Sequence, residues 1–143
     1  MEEEFDMASP ANTTITIDGT KLNAFSTQVG ISTVADGAGM PAMGSVVASM
    51  EFSADMHDTV NVPFTAVKKF FDLTNLATRD KIKDIKIEFW TDDSLTDALC
   101  TLSFKGWLSS WHINGGGGSN HILSISIQPA LDQKNYHDLQ LGN

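Results

Sequence analysis

The chain has 143 residues, 41% of them apolar and 19% charged, with a formal net charge of −9. That length supports one hydrophobic core, and the acidic balance excludes nucleic-acid binding through a basic patch on phosphates. No apolar run approaches the ~20 residues of a membrane-spanning helix, and the single cysteine, Cys100, leaves no internal disulfide.

In chain order, residues 1–12 open acidic and end in Ser-Pro-Ala-Asn, which predicts a flexible N-terminal segment ahead of one domain over 13–143. Met1–Asp6 lacks the basic start and apolar core of a signal peptide, so synthesis in the cytoplasm is expected. Thr13–Asp18 alternates, with Ile15 and Ile17 inward, and Asp18-Gly19 is a strong hairpin-turn signal. The next predicted strand sets Phe25, Thr27, Val29 and Ile31 against Ser26, Gln28 and Ser32. Ala35–Gly44 has no period and is rich in glycine and methionine, which reads as a long loop between two strands. Val46, Ala48, Met50 and Phe52 then resume a strand.

Asn61 or a neighbour is placed to cap a helix, and Pro63 suits its first turn. Ala66, Val67, Phe70, Phe71, Leu73 and Ala77 form its apolar face; Leu76 falls outside it. Lys81–Thr91 carries Ile85, Ile87 and Phe89 inward. The strongest signal is the hairpin of Leu99–Pro129, two strand-like arms around the turn Gly115–Gly118. Its first arm places Ala98, Cys100, Leu102 and Phe104 on one face, then changes face to Trp107, Trp111 and Ile113, which predicts a β-bulge at Gly106. Its second arm alternates Leu123, Ile125 and Ile127 with Ser124 and Ser126. The tail after Pro129 is expected to add an edge strand or reach a neighbouring subunit. The fold class is therefore mainly β: two antiparallel sheets forming a barrel or sandwich, with one flanking helix.

Candidate chemistry is sparse. Asp55-Met-His57-Asp58 lies at a strand-to-helix connection and reads better as a polar turn than as a metal site. His112 and His121 straddle the glycine turn and are placed to face each other across the hairpin, without a carboxylate or cysteine beside them. Asp92-Asp93 reads as a solvated turn, since adjacent strand residues point opposite ways. The glycine run lacks the Lys-Ser/Thr of a phosphate loop, and no serine sits in a Gly-x-Ser-x-Gly elbow. No catalytic residue, cofactor or metal is expected. Trp107 and Trp111 read as sharing a face, where they serve either a subunit contact or a stacked ligand.

Ser103-Phe-Lys-Gly-Trp-Leu-Ser-Ser-Trp-His112, the Gly115–Gly118 turn and His121-Ile-Leu-Ser-Ile-Ser-Ile127 together resemble the haemolysin-coregulated protein (Hcp) family. These are the inner-tube subunits of type VI secretion systems. The chain is also similar to the wider group of contractile phage tail-tube proteins. The loop Ala35–Gly44 and the helix opening near Pro63 extend the resemblance over most of residues 13–130. The opening strand Thr14-Ile-Thr-Ile-Asp-Gly-Thr is shorter than the secretion members' usual one, which leaves the parent machine open.

The resemblance implies a homo-oligomer of hexameric rings stacked into a hollow tube, with sheath, baseplate or spike, and effector partners. It implies assembly in the cytoplasm followed by passage out through the machine, or residence in a virion tail. Neither specific nucleic-acid binding nor membrane insertion is expected. The loop, with Gly37, Gly39, Met40, Pro41 and Met43, resembles the family's ring-stacking segment, and Trp107 and Trp111 are the expected subunit contact. The competing reading is a monomeric barrel that holds a small ligand near the two tryptophans.

Overall fold

A tight turn starts the fold. Asp18 and Gly19 both take positive φ, 52° and 82°, the geometry that joins two twisted antiparallel strands with two residues. They connect β1 (Thr13–Ile17) to β2 (Thr20–Ala24). The computed structural model describes residues 11–42, 47–75, 78–92, 94–116, 118–130 and 140–143. The remaining strands are β3 (Ser26–Ser32), β4 (Val47–Asp55), β5 (Lys83–Trp90), β6 (Ala98–Gly116), β7 (Ser119–Pro129) and β8 (Gln140–Gly142). Among the described residues, one α-helix, α1 (Phe64–Thr74), and a short 3-10 turn (Arg79–Lys81) lie between β4 and β5.

The strands form one antiparallel path, β2-β1-β5-β6-β7-β4-β3, with β8 beside β6. Its two end strands, β2 and β3, are consecutive in sequence and separated only by Phe25. A chain that leaves one end of a sheet and enters the other within one residue forces that sheet to curl until its ends meet. The predicted single strand through Phe25 is thus two strands bent at a corner. The ladder is not closed by hydrogen bonds between β2 and β3, which is compatible with a sandwich.

The 19-residue β6 is the spine. Its first half pairs with β5 and its second half with β7. The predicted slip in β6 exists, but it lies at Ser109 rather than Gly106. Leu108 pairs with Ile127 and Ser110 with Ser126, so Ser109 is the extra residue. Leu102, Phe104, Gly106 and Leu108 therefore face inward before the bulge, and Trp111 takes that face after it. Gly106 has a different role: β7 runs so close that a Cβ there would lie 2.6 Å from Gln128 O and 2.8 Å from Phe104 Cε2.

The concave side holds one core. Ile15, Ile17, Leu22, Phe52, Ile87, Leu123, Ile125 and Ile127 contribute from the strands, and Ala66, Val67, Phe70 and Leu73 from α1. Phe70 meets Phe52 edge-on at 6.3 Å. The expected cap at Asn61 is not formed: Pro63 occupies the N-cap position with no side-chain bond, and Asn61 bonds Asp58 and Asn23 instead. Leu76 and Ala77 lie outside the described residues. Lys69 donates to the Asp18 carboxylate at 3.1 Å, tying α1 to the first turn and holding that acid below its ordinary range.

Gly106→Ala is expected to lower the free energy of unfolding by about 2 kcal/mol in a urea titration, because the added methyl meets backbone that cannot retreat. Gly30→Ala, whose Cβ meets only Ser49 O at 3.9 Å, is expected to change it by less than about 0.5 kcal/mol. Equal costs at the two positions would contradict the close approach at Gly106.

Candidate assembly surface

Three surfaces bear on function: the loop after β3, the slot between α1 and β6, and the histidines beside the glycine turn.

The loop is a small built structure. Ala35 and Pro41 form an isolated bridge, and Ala42 N donates to Val34 O at 2.7 Å. At the tip, Asp36 N donates to Met40 O at 2.6 Å. Asp36 Oδ1 accepts from Ala38 N and Met40 N, both at 2.9 Å. Gly39 takes φ +85°, which a side chain would oppose. Asp36 was missed by sequence reasoning; Asp followed by Gly in a loop is an Asx-turn signal that marks it. Gly37, Gly39, Met40 and Pro41 all lie exposed here, whereas Met43 lies outside the described residues.

The two tryptophans do not share a face, which corrects the sequence reading. Trp107 precedes the bulge at Ser109 and Trp111 follows it, so the extra residue sends their side chains to opposite faces. Trp107 sits on the outer face opposite Gln128. Trp111 packs against the core, and its ring meets Phe71 edge-on at 5.1 Å. Phe71 itself is 41% exposed, less buried than its place on the helix predicts. Met56, Phe64, Val67, Lys68, Phe71, Trp111 and Ile113 line a slot of about 230 Å³ between helix and strand. Trp111 Nε1 is buried without an acceptor among the described residues.

The histidines pair differently from expectation. His112 lies opposite Ser124, away from His121. His121 instead meets His57 edge to edge in a nearly common orientation, with ring centroids 5.2 Å apart and 15° between planes. Their Nε2 and Nδ1 are 3.0 Å apart, a hydrogen bond that requires at least one neutral ring. A second register shift, between Asn114 and Gly116, seats the His121 ring against Gly115, where a Cβ would lie 2.3 Å from Cδ2. Asp55 holds the neighbouring turn, accepting from His57 N and Asn120 Nδ2, each at 2.9 Å. Among the described residues, no three His, Cys, Asp or Glu side chains converge as metal ligands would. Asp92 caps its own turn through Ser94, whose hydroxyl bond lowers the acid's pKa, and Asp93 lies outside the described residues. Cys100 is half-buried opposite Phe89.

The tail contributes β8, whose Leu102↔Leu141 register extends the sheet beside β6, as the edge-strand expectation requires. Leu131, Tyr136 and Leu139 lie outside the described residues.

Hcp1 from Flavobacterium johnsoniae superposes with a TM-score of 0.58 at 15% identity, over 82% of this chain and 89% of that one. A crystal structure of an Hcp protein gives 0.58 at 10% identity, over 95% and 99%. The chain has an Hcp-like fold. A structure described as a type VI secretion system effector from Yersinia pestis also matches, with a TM-score of 0.54 at 8% identity over 92% and 99%. No protein-family model matches the sequence, and no curated protein matches it.

Trp111→Phe keeps a ring against Phe71 and removes an unpartnered donor. It is expected to change stability by less than about 1 kcal/mol. Trp111→Ala opens the core beside α1 and is expected to cost about 3 kcal/mol. Urea titrations of both variants check this; a phenylalanine variant as damaged as the alanine one would mean that the indole N–H has an acceptor.

Proposed function

We propose that this chain is the inner-tube subunit of a contractile injection machine of the type VI secretion kind. Copies close into hexameric rings, and the rings stack into a tube that carries or delivers effectors. The observation that carries this reading is the Hcp-like fold, which runs over nearly the whole length of both chains. The subunit is a structural part rather than an enzyme, and its partners are copies of itself, a sheath, a baseplate or spike, and cargo. It assembles in the cytoplasm and leaves through the machine.

Physical features of the chain fit that role. Among the described residues, β3 pairs only with β4, which leaves its outer edge for another copy, whereas the outer edge of β2 is met at Asn23 by Asn61. Head-to-tail contacts of this type close into rings when the rotation permits. The exposed loop at Gly37–Pro41 is offered to the next ring, and the acidic excess lines part of the lumen, where it keeps cargo from adhering. The competing role of a ligand-binding barrel has less support: Phe52, Phe70 and Ile125 are packed inside the sheet, and the space beside Trp111 is an open slot of about 230 Å³ between helix and strand.

Light scattering coupled to gel filtration tests the proposal. The unmodified chain is expected to run as hexameric rings and longer stacks as concentration rises. Met40→Arg is expected to keep the rings and the circular dichroism spectrum while abolishing the stacks. A variant that stacks like the parent would remove the loop from the assembly.

A further inference from the structure

We infer that the Asp36–Met40 loop tip of one copy docks into the slot between α1 and β6 of the next. This deepens the proposed tube role and rests on it.

Both surfaces are exposed, apolar and unlike each other in shape. The tip is convex: Met40 is 62% exposed and stands on backbone fixed by Asp36. The slot is concave, with Met56, Phe64, Phe71, Trp111 and Ile113 along it. Phe64 is 73% exposed there, and with Phe71 and Ile113, each 41% exposed, it forms a contiguous apolar patch of the kind that marks a contact site. A thioether is the side chain best suited to a slot of aromatic edges, because it is flexible and polarizable.

Charge complementarity selects the same pairing. The chain carries twice as many acidic as basic side chains, 18 against 9. Yet among the described residues the one charged side chain lining the slot is Lys68, and the one in the sequence of residues 33–42 is Asp36. Asp36 sits beside Met40 through the bond to its amide, as Lys68 sits one helical turn from Phe64. A docked tip therefore brings an acid toward a base as the thioether enters the slot. Lys68 already meets Asp72 at 3.0 Å on the open surface, so Asp36 joins a shared cation rather than an unpaired one.

Position makes the contact intermolecular. The loop leaves from the Val47 end of β4, paired there with Ser32. Met56, in the slot, follows the opposite end at Asp55. Nine strand residues separate the two by roughly 26 Å. The tip therefore lies at the far end of β4 from its own slot, so the contact is made between copies, and in a head-to-tail arrangement it propagates from copy to copy.

Cysteine cross-linking tests this on the full chain in a Cys100→Ala background. Met40→Cys protein is mixed with Ile113→Cys protein under mild oxidant, beside a control mixture of Met40→Cys with Val60→Cys. Val60 is 87% exposed and outside the slot. The expected result is a disulfide-linked dimer in the first mixture at least tenfold faster than in the control, with melting curves of the parent. Equal rates, or no dimer, in samples that still form rings or stacks would overturn the docking and leave the tube role standing. A protein that never self-associates would overturn both.

Discussion

The single residue between β2 and β3 governs the architecture. Phe25 joins the two ends of the strand path, so every other strand must fit along a curve whose ends are already tied. Phe25 N donates to Ser53 O at 3.1 Å and fixes the corner against β4. A row of side chains fastens the other flank. Trp90 Nε1 donates to Thr14 Oγ1, Thr14 to Asn23 Oδ1, Asn23 Nδ2 to Asn61 Oδ1, and Asn61 Nδ2 to the Asp58 carboxylate. Every donor points the same way and the row ends on a charge, the arrangement in which each bond strengthens the next. It crosses β5, β1 and β2 and reaches the turn that leads into α1, so the corner, the sheet and the helix are held in one register. At about 1 kcal/mol net per bond, the row is worth less than the core it aligns, but it sets where that core closes.

What was readable in the sequence was local. The Asp18-Gly19 turn, the inward rows Ile15/Ile17 and Leu123/Ile125/Ile127, the helix and the glycine-tipped hairpin depend on neighbours in the chain, and all are present. The failures came where partners are distant. Nothing near Gly106 reports that Gln128 O will press on it, so in the sequence a glycine kept for close approach reads as a bulge. The true bulge at Ser109 reverses the parity by which the sequence unites Trp107 and Trp111. The corner at Phe25 did leave a trace: the core-facing residues are even at Leu22 and Ala24, then odd at Val29. That change of parity was legible, and its consequence, a jump between sheet ends, was not. His57 and His121 are 64 residues apart in the chain, and no spacing rule joins them.

The loop and the slot follow from the same curvature. A sheet curled around its own core turns its outer edges and its helix-covered mouth toward solvent. Exposed apolar side chains lie at the two ends of β4, around Met40 and around Phe64, and a further group, Leu99 and Leu141, lies along β6 and β8. A solitary protein pays for such surface with solubility, whereas an assembling one uses it as a specific contact. In the proposed docking, small loop residues on one side and aromatic edges on the other would give the contact the polarity that growth in one direction needs.

Negative-stain electron microscopy of the purified, untagged chain at high concentration tests the tube account most directly. The account predicts annuli with a central hole, seen end-on, and striated rods seen from the side. A field of solitary particles at every concentration would contradict it.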